Sequence, residues 1–153
     1  MILRKTQLIT NRESGTETTR GGSPDSIRYS DKGGLTQFGA YVQTLQPGAR
    51  SSDRHWHEKE DEFLYMLSGE ATVIENDGAH ALQPGDVACW PGGMANAHHV
   101  VNQSDAPCTY LIIGTRLDRD ITHYPDSGQI QYDEGGTWRI CRADGTLIRE
   151  GTK

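Results

Sequence analysis

The chain has 153 residues, a hydrophobic fraction of 34% and a formal net charge of −6. This length fits one domain with a real core, and the acidic balance argues against a nucleic-acid surface, which needs clustered Lys and Arg. No apolar run is long enough to span a membrane, and the N-terminus MILRKTQLITNR lacks the apolar stretch of a signal peptide, so no membrane association is expected. Cys89, Cys108 and Cys141 are widely spaced. An odd count without a secretion signal reads as reduced thiols in the cytoplasm, and without a C-x-x-C pair there is no zinc cluster of cysteines. Cys89 is expected to be a small buried apolar residue.

In chain order, residues 1–34 form a polar arm. A short strand over 2–9 is expected there, and a terminal strand that pairs with a neighbouring subunit is one route to a homodimer. From Gly39 the strand signals become regular, with strands expected over 39–45, 53–57, 62–68, 70–75, 80–82, 86–90, 98–102 and 110–115. Gln46-Pro47-Gly48, Ser68-Gly69, Gln83-Pro84-Gly85 and the stretch 104–107 punctuate them. Asp77-Gly78, between two alternating runs, predicts a hairpin. Many short strands at regular spacing mean an all-β sandwich or barrel. The division expected is an arm over 1–34, a barrel over 35–115 and an extension over 116–153 packed on the barrel. Within the extension the strand pattern weakens: 116–128 is polar with a Pro-Asp turn, and 137–148 reads as a hairpin around Ala143-Asp144-Gly145 on the barrel's outside.

Chemistry concentrates at His55-Trp56-His57, followed by Glu62. A strand puts residues i and i+2 on one face, so both imidazoles point the same way. Downstream, the Pro91-Gly92-Gly93 turn leads into His98 and His99. His98, Val100 and Asn102 share one strand face, while His99 and Val101 share the other. One histidine of the pair therefore points inward and completes a set of three imidazoles and a carboxylate. Asp61 is the alternative to Glu62, and His99 the alternative to His98. Trp56, Phe63 and Tyr65 alternate opposite the ligands and are expected outside the cavity. Leu64 and Met66 either line it or belong to the core. His80 and His123 are expected at the surface.

These residues resemble the two motifs of the cupin superfamily. The first motif reads Gly, five residues, His-x-His, three or four residues, Glu, six residues, Gly. Here Gly48, His55-x-His57, Glu62 and Gly69 match it with one extra residue before His55. The second reads Gly, five residues, Pro-x-Gly, two residues, His, three residues, Asn. Gly85, Pro91-x-Gly93, His98 and Asn102 match it with two extra residues before His98. Both insertions fall in turn-like stretches, and the spacing to Asn102 favours His98. Gly114-Thr115-Arg116 and Tyr124-Pro125-Asp126 also resemble the end of the core in small bacterial cupins of unassigned activity.

The resemblance implies a double-stranded β-helix, or jelly-roll barrel. It also implies a divalent transition metal (Fe, Mn, Ni, Zn, Co or Cu) held by His55, His57, Glu62 and His98. Nitrogen and oxygen donors of intermediate softness suit any of these ions. The expected partner is a small-molecule ligand or substrate. One reading is an enzyme of oxygenase or isomerase type acting on a small chelating acid, carbonyl compound or sugar, with the metal polarising an oxygen. The other is a binding or sensor module without catalysis. A storage or scaffold protein has no need of four convergent ligands.

Overall fold

The computed structural model describes residues 1–4, 11–12, 22 and 24–152. The strand expected over 2–9 lies mostly outside them. The strands are β1 (Asn11–Arg12), β2 (Asp25–Arg28), β3 (Phe38–Leu45), β4 (Trp56–His57), β5 (Glu62–Ser68), β6 (Ala71–Glu75) and β7 (Gly78–Leu82). They continue with β8 (Val87–Trp90), β9 (His99–Val101), β10 (Cys108–Thr115), β11 (Arg119–Tyr124), β12 (Gln129–Glu134), β13 (Thr137–Arg142) and β14 (Leu147–Thr152). One short helix, α1 (Tyr29–Gly33), separates β2 from β3. No helix among the described residues is long and apolar enough to cross a membrane.

The strands form three sheets, ordered β1-β2-β3-β10-β5-β8, β7-β6-β9 and β14-β13-β12-β11-β4. Their pairing is antiparallel throughout. The fold is an all-β barrel of jelly-roll type. Strand alternation explains the core. On β5, Leu64 and Met66 are fully buried, while Tyr65 and Leu67 on the opposite face are exposed. Leu64 and Met66 meet Leu45, Val73, Val100, Tyr110 and Ile112 in one apolar cluster. Burying each large side chain there contributes about 1.5–3 kcal/mol. Polar groups in this core are paired. The Tyr110 hydroxyl donates to Gln43 Oε1 at 2.8 Å, and Gln43 Nε2 donates to Ser26 Oγ at 3.2 Å.

The expected hairpin at Asp77-Gly78 joins β6 and β7, with Glu75 opposite Gly78. Gly69 is required by close approach as well as by its φ of +75°, since a Cβ there would lie 2.6 Å from the Pro107 carbonyl oxygen. Four expectations need correction. The strand expected over 53–57 is confined to Trp56–His57, because residues 50–55 run past β9 with isolated bridges only, Arg50 to Val101 and His55 to His98. The polar stretch 116–128, not among the expected strands, contains β11. The hairpin β13–β14 exists, yet it is the outer half of a sheet that starts at β4, where Thr122 opposes His57 and His123 opposes Trp56. Cys89 is exposed rather than buried, because it lies on β8 opposite Phe63, on the outward face.

Candidate functional site

Four side chains from three parts of the chain converge inside the barrel mouth. His55 and His57 come from the segment that ends in β4. Glu62 opens β5, and His98 immediately precedes β9. Glu62 Oε2 lies 2.8 Å from His98 Nε2, 3.8 Å from His57 Nε2 and 3.9 Å from His55 Nε2. The imidazole of His55 stands 5.2 Å from that of His57 and 5.3 Å from that of His98. All four are largely shielded, with side-chain exposures of 16% or 17%, and 6% for His98.

The opposite ring nitrogens are held by oxygen acceptors. His55 Nδ1 donates to the Asp53 carbonyl at 2.8 Å and His98 Nδ1 to the Asn96 carbonyl at 3.2 Å. His57 Nδ1 donates to Asp120 Oδ2 at 2.7 Å, with Thr122 Oγ1 at 3.2 Å. A proton on Nδ1 leaves Nε2 free to ligate, as at His55 and His57. His98 Nε2 instead hydrogen-bonds Glu62 Oε2 at 2.8 Å, a contact that needs a proton between the two atoms.

Electrostatics act in the same direction for two of the four. Burial pushes His55 down to about 4, and the Glu62 charge only partly offsets it. Burial alone would raise Glu62, but the His98 hydrogen bond and the neighbouring imidazoles bring it down to about 2. At neutral pH the pair is thus a neutral imidazole and an ionised carboxylate, the forms that hold a metal. His57 differs. Burial lowers it, but the Asp120 hydrogen bond and the charges of Glu62 and Asp120 prevail and raise it. The donor set of three imidazoles and one carboxylate suits a divalent transition ion, and donor atoms of His55, Glu62 and His98 fall within 4.8 Å of one another.

The alternatives raised by the sequence have other partners. Asp61 Oδ1 accepts the Gly92 amide at 2.8 Å, which ties the second motif's turn to the first motif's loop. That approach requires glycine, because a Cβ on Gly92 would collide with the Lys59 backbone. His99 Nδ1 lies 3.1 Å from the Ser52 carbonyl, on the strand face opposite His98. Asn102 is structural: its amide donates to the Leu45 and Ala106 carbonyls, and its oxygen accepts from Ser104. Leu64 and Met66 belong to the core and not to the cavity wall. His80 is exposed as expected. His123 is half-buried, stacked on Trp56 with ring centroids 4.2 Å apart and hydrogen-bonded to Glu58.

Sequence reasoning missed the partners that hold the site. Trp90, opposite Glu62 on β8, stacks on His98 at 3.8 Å with planes 5° apart, and its indole N–H donates to Glu75. Asp120, Thr122 and Tyr124 come from β11. Their i, i+2, i+4 spacing around Ile121 was the available signal. A strand whose inward face is polar looks like loop, and that hid it.

Comparison with known proteins follows the same geometry. The Cupin domain family model matches residues 41–114. A crystal structure of a sugar phosphate isomerase from a cupin superfamily, from Silicibacter pomeroyi, superposes with a TM-score of 0.86 at 33% identity, covering 97% of both chains. A protein from Acidithiobacillus ferrooxidans, provisionally named a sugar phosphate isomerase, gives 0.85 at 27% identity over 97% of this chain and 96% of its own. Oxalate decarboxylase OxdC of Bacillus subtilis is 41% identical over 76 residues, 46% of this chain. That match spans only 19% of the decarboxylase.

Proposed function

The chain belongs to the cupin superfamily, and on that premise we propose that it is a metal-dependent enzyme of isomerase type. Its substrate is a small chelating hydroxy or carbonyl compound of the sugar phosphate class. The observation that carries the reading is the set of three Nε2 atoms facing Glu62, each imidazole tied at Nδ1 by an oxygen acceptor. Preorganisation of this kind is what a metal centre needs from its protein. A divalent ion bound there would supply Lewis-acid polarisation of a substrate oxygen. His55, His57 and His98 would hold it with Glu62. Val100 and Ile112 wall the cavity beside them and limit water.

Isomerisation is favoured over decarboxylation by extent of likeness. The similarity to the Silicibacter protein runs the length of both chains and includes the C-terminal sheet. The similarity to OxdC is confined to a part of each chain. The test is elemental analysis of protein purified without chelator, followed by a screen of phosphorylated aldoses and ketoses for interconversion. Bound metal with interconversion supports the reading; bound metal with no turnover of any sugar phosphate removes it.

One observation favours a second reading, a binding module without catalysis. Among the described residues lining the cavity, Glu62 is the sole carboxylate, and Asp120 behind His57 is already engaged at both oxygens, by the imidazole and by the Lys59 amide. Saturable binding without product would select this reading.

The expected homodimer is supported by the outer face of the six-stranded sheet, where Tyr65 opposes Val87 and the two are 39% and 50% exposed. Light scattering that finds only monomer would remove it.

A further inference from the structure

The cavity inside the barrel has a volume of 140 Å³, close to that of a space that holds benzene. It admits the chelating end of a substrate but not a whole phosphorylated sugar. The rest of such a molecule must lie beyond the mouth. Thr122 and Tyr124 project onto the site from the inner face of the C-terminal sheet. Thr122 reaches His57, and the Tyr124 ring lies 5.6 Å from the ring of His55.

Opposed residues of an antiparallel sheet share a face. Thr122 opposes Gln131, Gln131 opposes Ile140, and Ile140 opposes Arg149. This row runs from the histidine centre to a cation across three strand spacings, about 14 Å. Arg149 is exposed, packs over the Trp138 ring at 5.8 Å, and forms no ion pair among the described residues. Tyr124 lies two residues from Thr122 on the same face of β11, and the charges of both Glu62 and Arg149 act on it. Its hydroxyl has no protein partner among the described residues. Asp53 is already paired with Arg50 at 2.6 Å, so Glu62 is the carboxylate at the cavity that an anionic ligand must face, and a cation offsets it.

Thr122 and Ile140 of this row are buried, and we propose that Tyr124 and Arg149, the more accessible side chains of the same face, recognise the substrate. Arg149 binds the anionic group of a phosphorylated sugar, and the Tyr124 hydroxyl donates to an oxygen between that group and the histidine centre. The inference rests on the sugar phosphate reading and adds to it the residues that select the phosphate.

The test is calorimetric titration of the purified full chain with D-ribose 5-phosphate, D-ribose and inorganic phosphate, with metal content measured on each sample. The wild type binds the phosphorylated sugar about tenfold or more tighter than ribose, the scale of one charge-assisted contact. Arg149→Ala loses that advantage. Tyr124→Phe weakens both sugars while keeping the preference. Arg139→Ala is the control: Arg139 lies on the opposite face of the same sheet, against Glu134, and its titrations match wild type. An Arg149→Ala profile equal to wild type overturns the proposal, as does the absence of any preference for the phosphorylated sugar. A preference that depends on Arg149 in protein that binds no metal would leave this surface standing and remove the metal reading instead. Stoichiometric metal with no preference would do the reverse.

Discussion

Asp120 Oδ2 lies 2.7 Å from Nδ1 of His57, across 63 residues of chain. The carboxylate is nearly inaccessible, at 2% exposure, and its second oxygen accepts the Lys59 amide at 2.9 Å. It is thus fixed at both oxygens, and it fixes the imidazole in turn. Asp120→Asn replaces one acceptor oxygen with an amide that cannot satisfy both the Lys59 N–H and the imidazole. Metal affinity is expected to fall by about 10- to 100-fold, the range for loss of a partner that orients a ligating histidine. Competition titration against a chelating dye checks this, with circular dichroism to confirm that the strands persist. Unchanged affinity would mean that Asp120 serves packing alone.

Alanine at His55, His57, Glu62 or His98 is expected to abolish stoichiometric metal binding, each removing one of four converging donors. His99→Ala and Asp61→Ala are expected to keep it, because those side chains turn to the Ser52 carbonyl and the Gly92 amide. Elemental analysis of the six variants decides. Metal loss in His99→Ala with retention in His98→Ala would exchange the roles of the two histidines.

Stability of the metal-free protein should fall on acidification. His55 is held at about 4 in the fold against 6.5 unfolded, so the unfolded state takes up its proton first, and stability drops as pH falls from 6.5 toward 4. Glu62 is held at about 2 against 4.5, which extends the loss below pH 4.5. His57 acts with the opposite sign: its raised value adds stability at low pH that is lost as pH rises through the folded value. Thermal melting across pH 7 to 4 is expected to show a falling Tm, with a shallower fall in His55→Gln. A Tm that rises over this window would show that His57 outweighs the other two.

Trp90 offers an optical readout. Its ring lies 3.8 Å from that of His98 in a nearly parallel stack, so an open-shell ion such as Co(II) or Cu(II) at the centre should quench its emission strongly. Trp90→Phe is expected to lose most of the metal-dependent quenching, leaving the residual signals of Trp56 and Trp138. Equal quenching in the variant would place the metal away from His98. The substitution also removes the indole bond to Glu75, and about 1 kcal/mol of stability should go with it.

The barrel was legible because its signals are local. Alternation on Glu62–Ser68 sets which side chains enter the core, Asp77-Gly78 sets a hairpin, and the extended His-x-His segment, of which only Trp56–His57 is strand, aims two imidazoles together. These follow from the pleat and from turn sterics, which act over a few residues. The match of His55, His57, Glu62 and His98 to two spaced motifs singled out the four side chains that the fold brings together around Glu62.

What only the tertiary structure decided is everything that depends on one strand meeting another far along the chain. The pairing of β11 with β4 brings Asp120 and Thr122 to His57, and the pairing of β5 with β8 sets Trp90 opposite Glu62. His98 was separated from His99 by the register of β9 against β6, which turns one imidazole inward and leaves the other at Ser52. The sequence by itself determined the donor types and the barrel that carries them, because composition and period belong to each strand alone. The supports and the recognition face come from long-range register, which shifts every side chain to the other face with a slip of one residue.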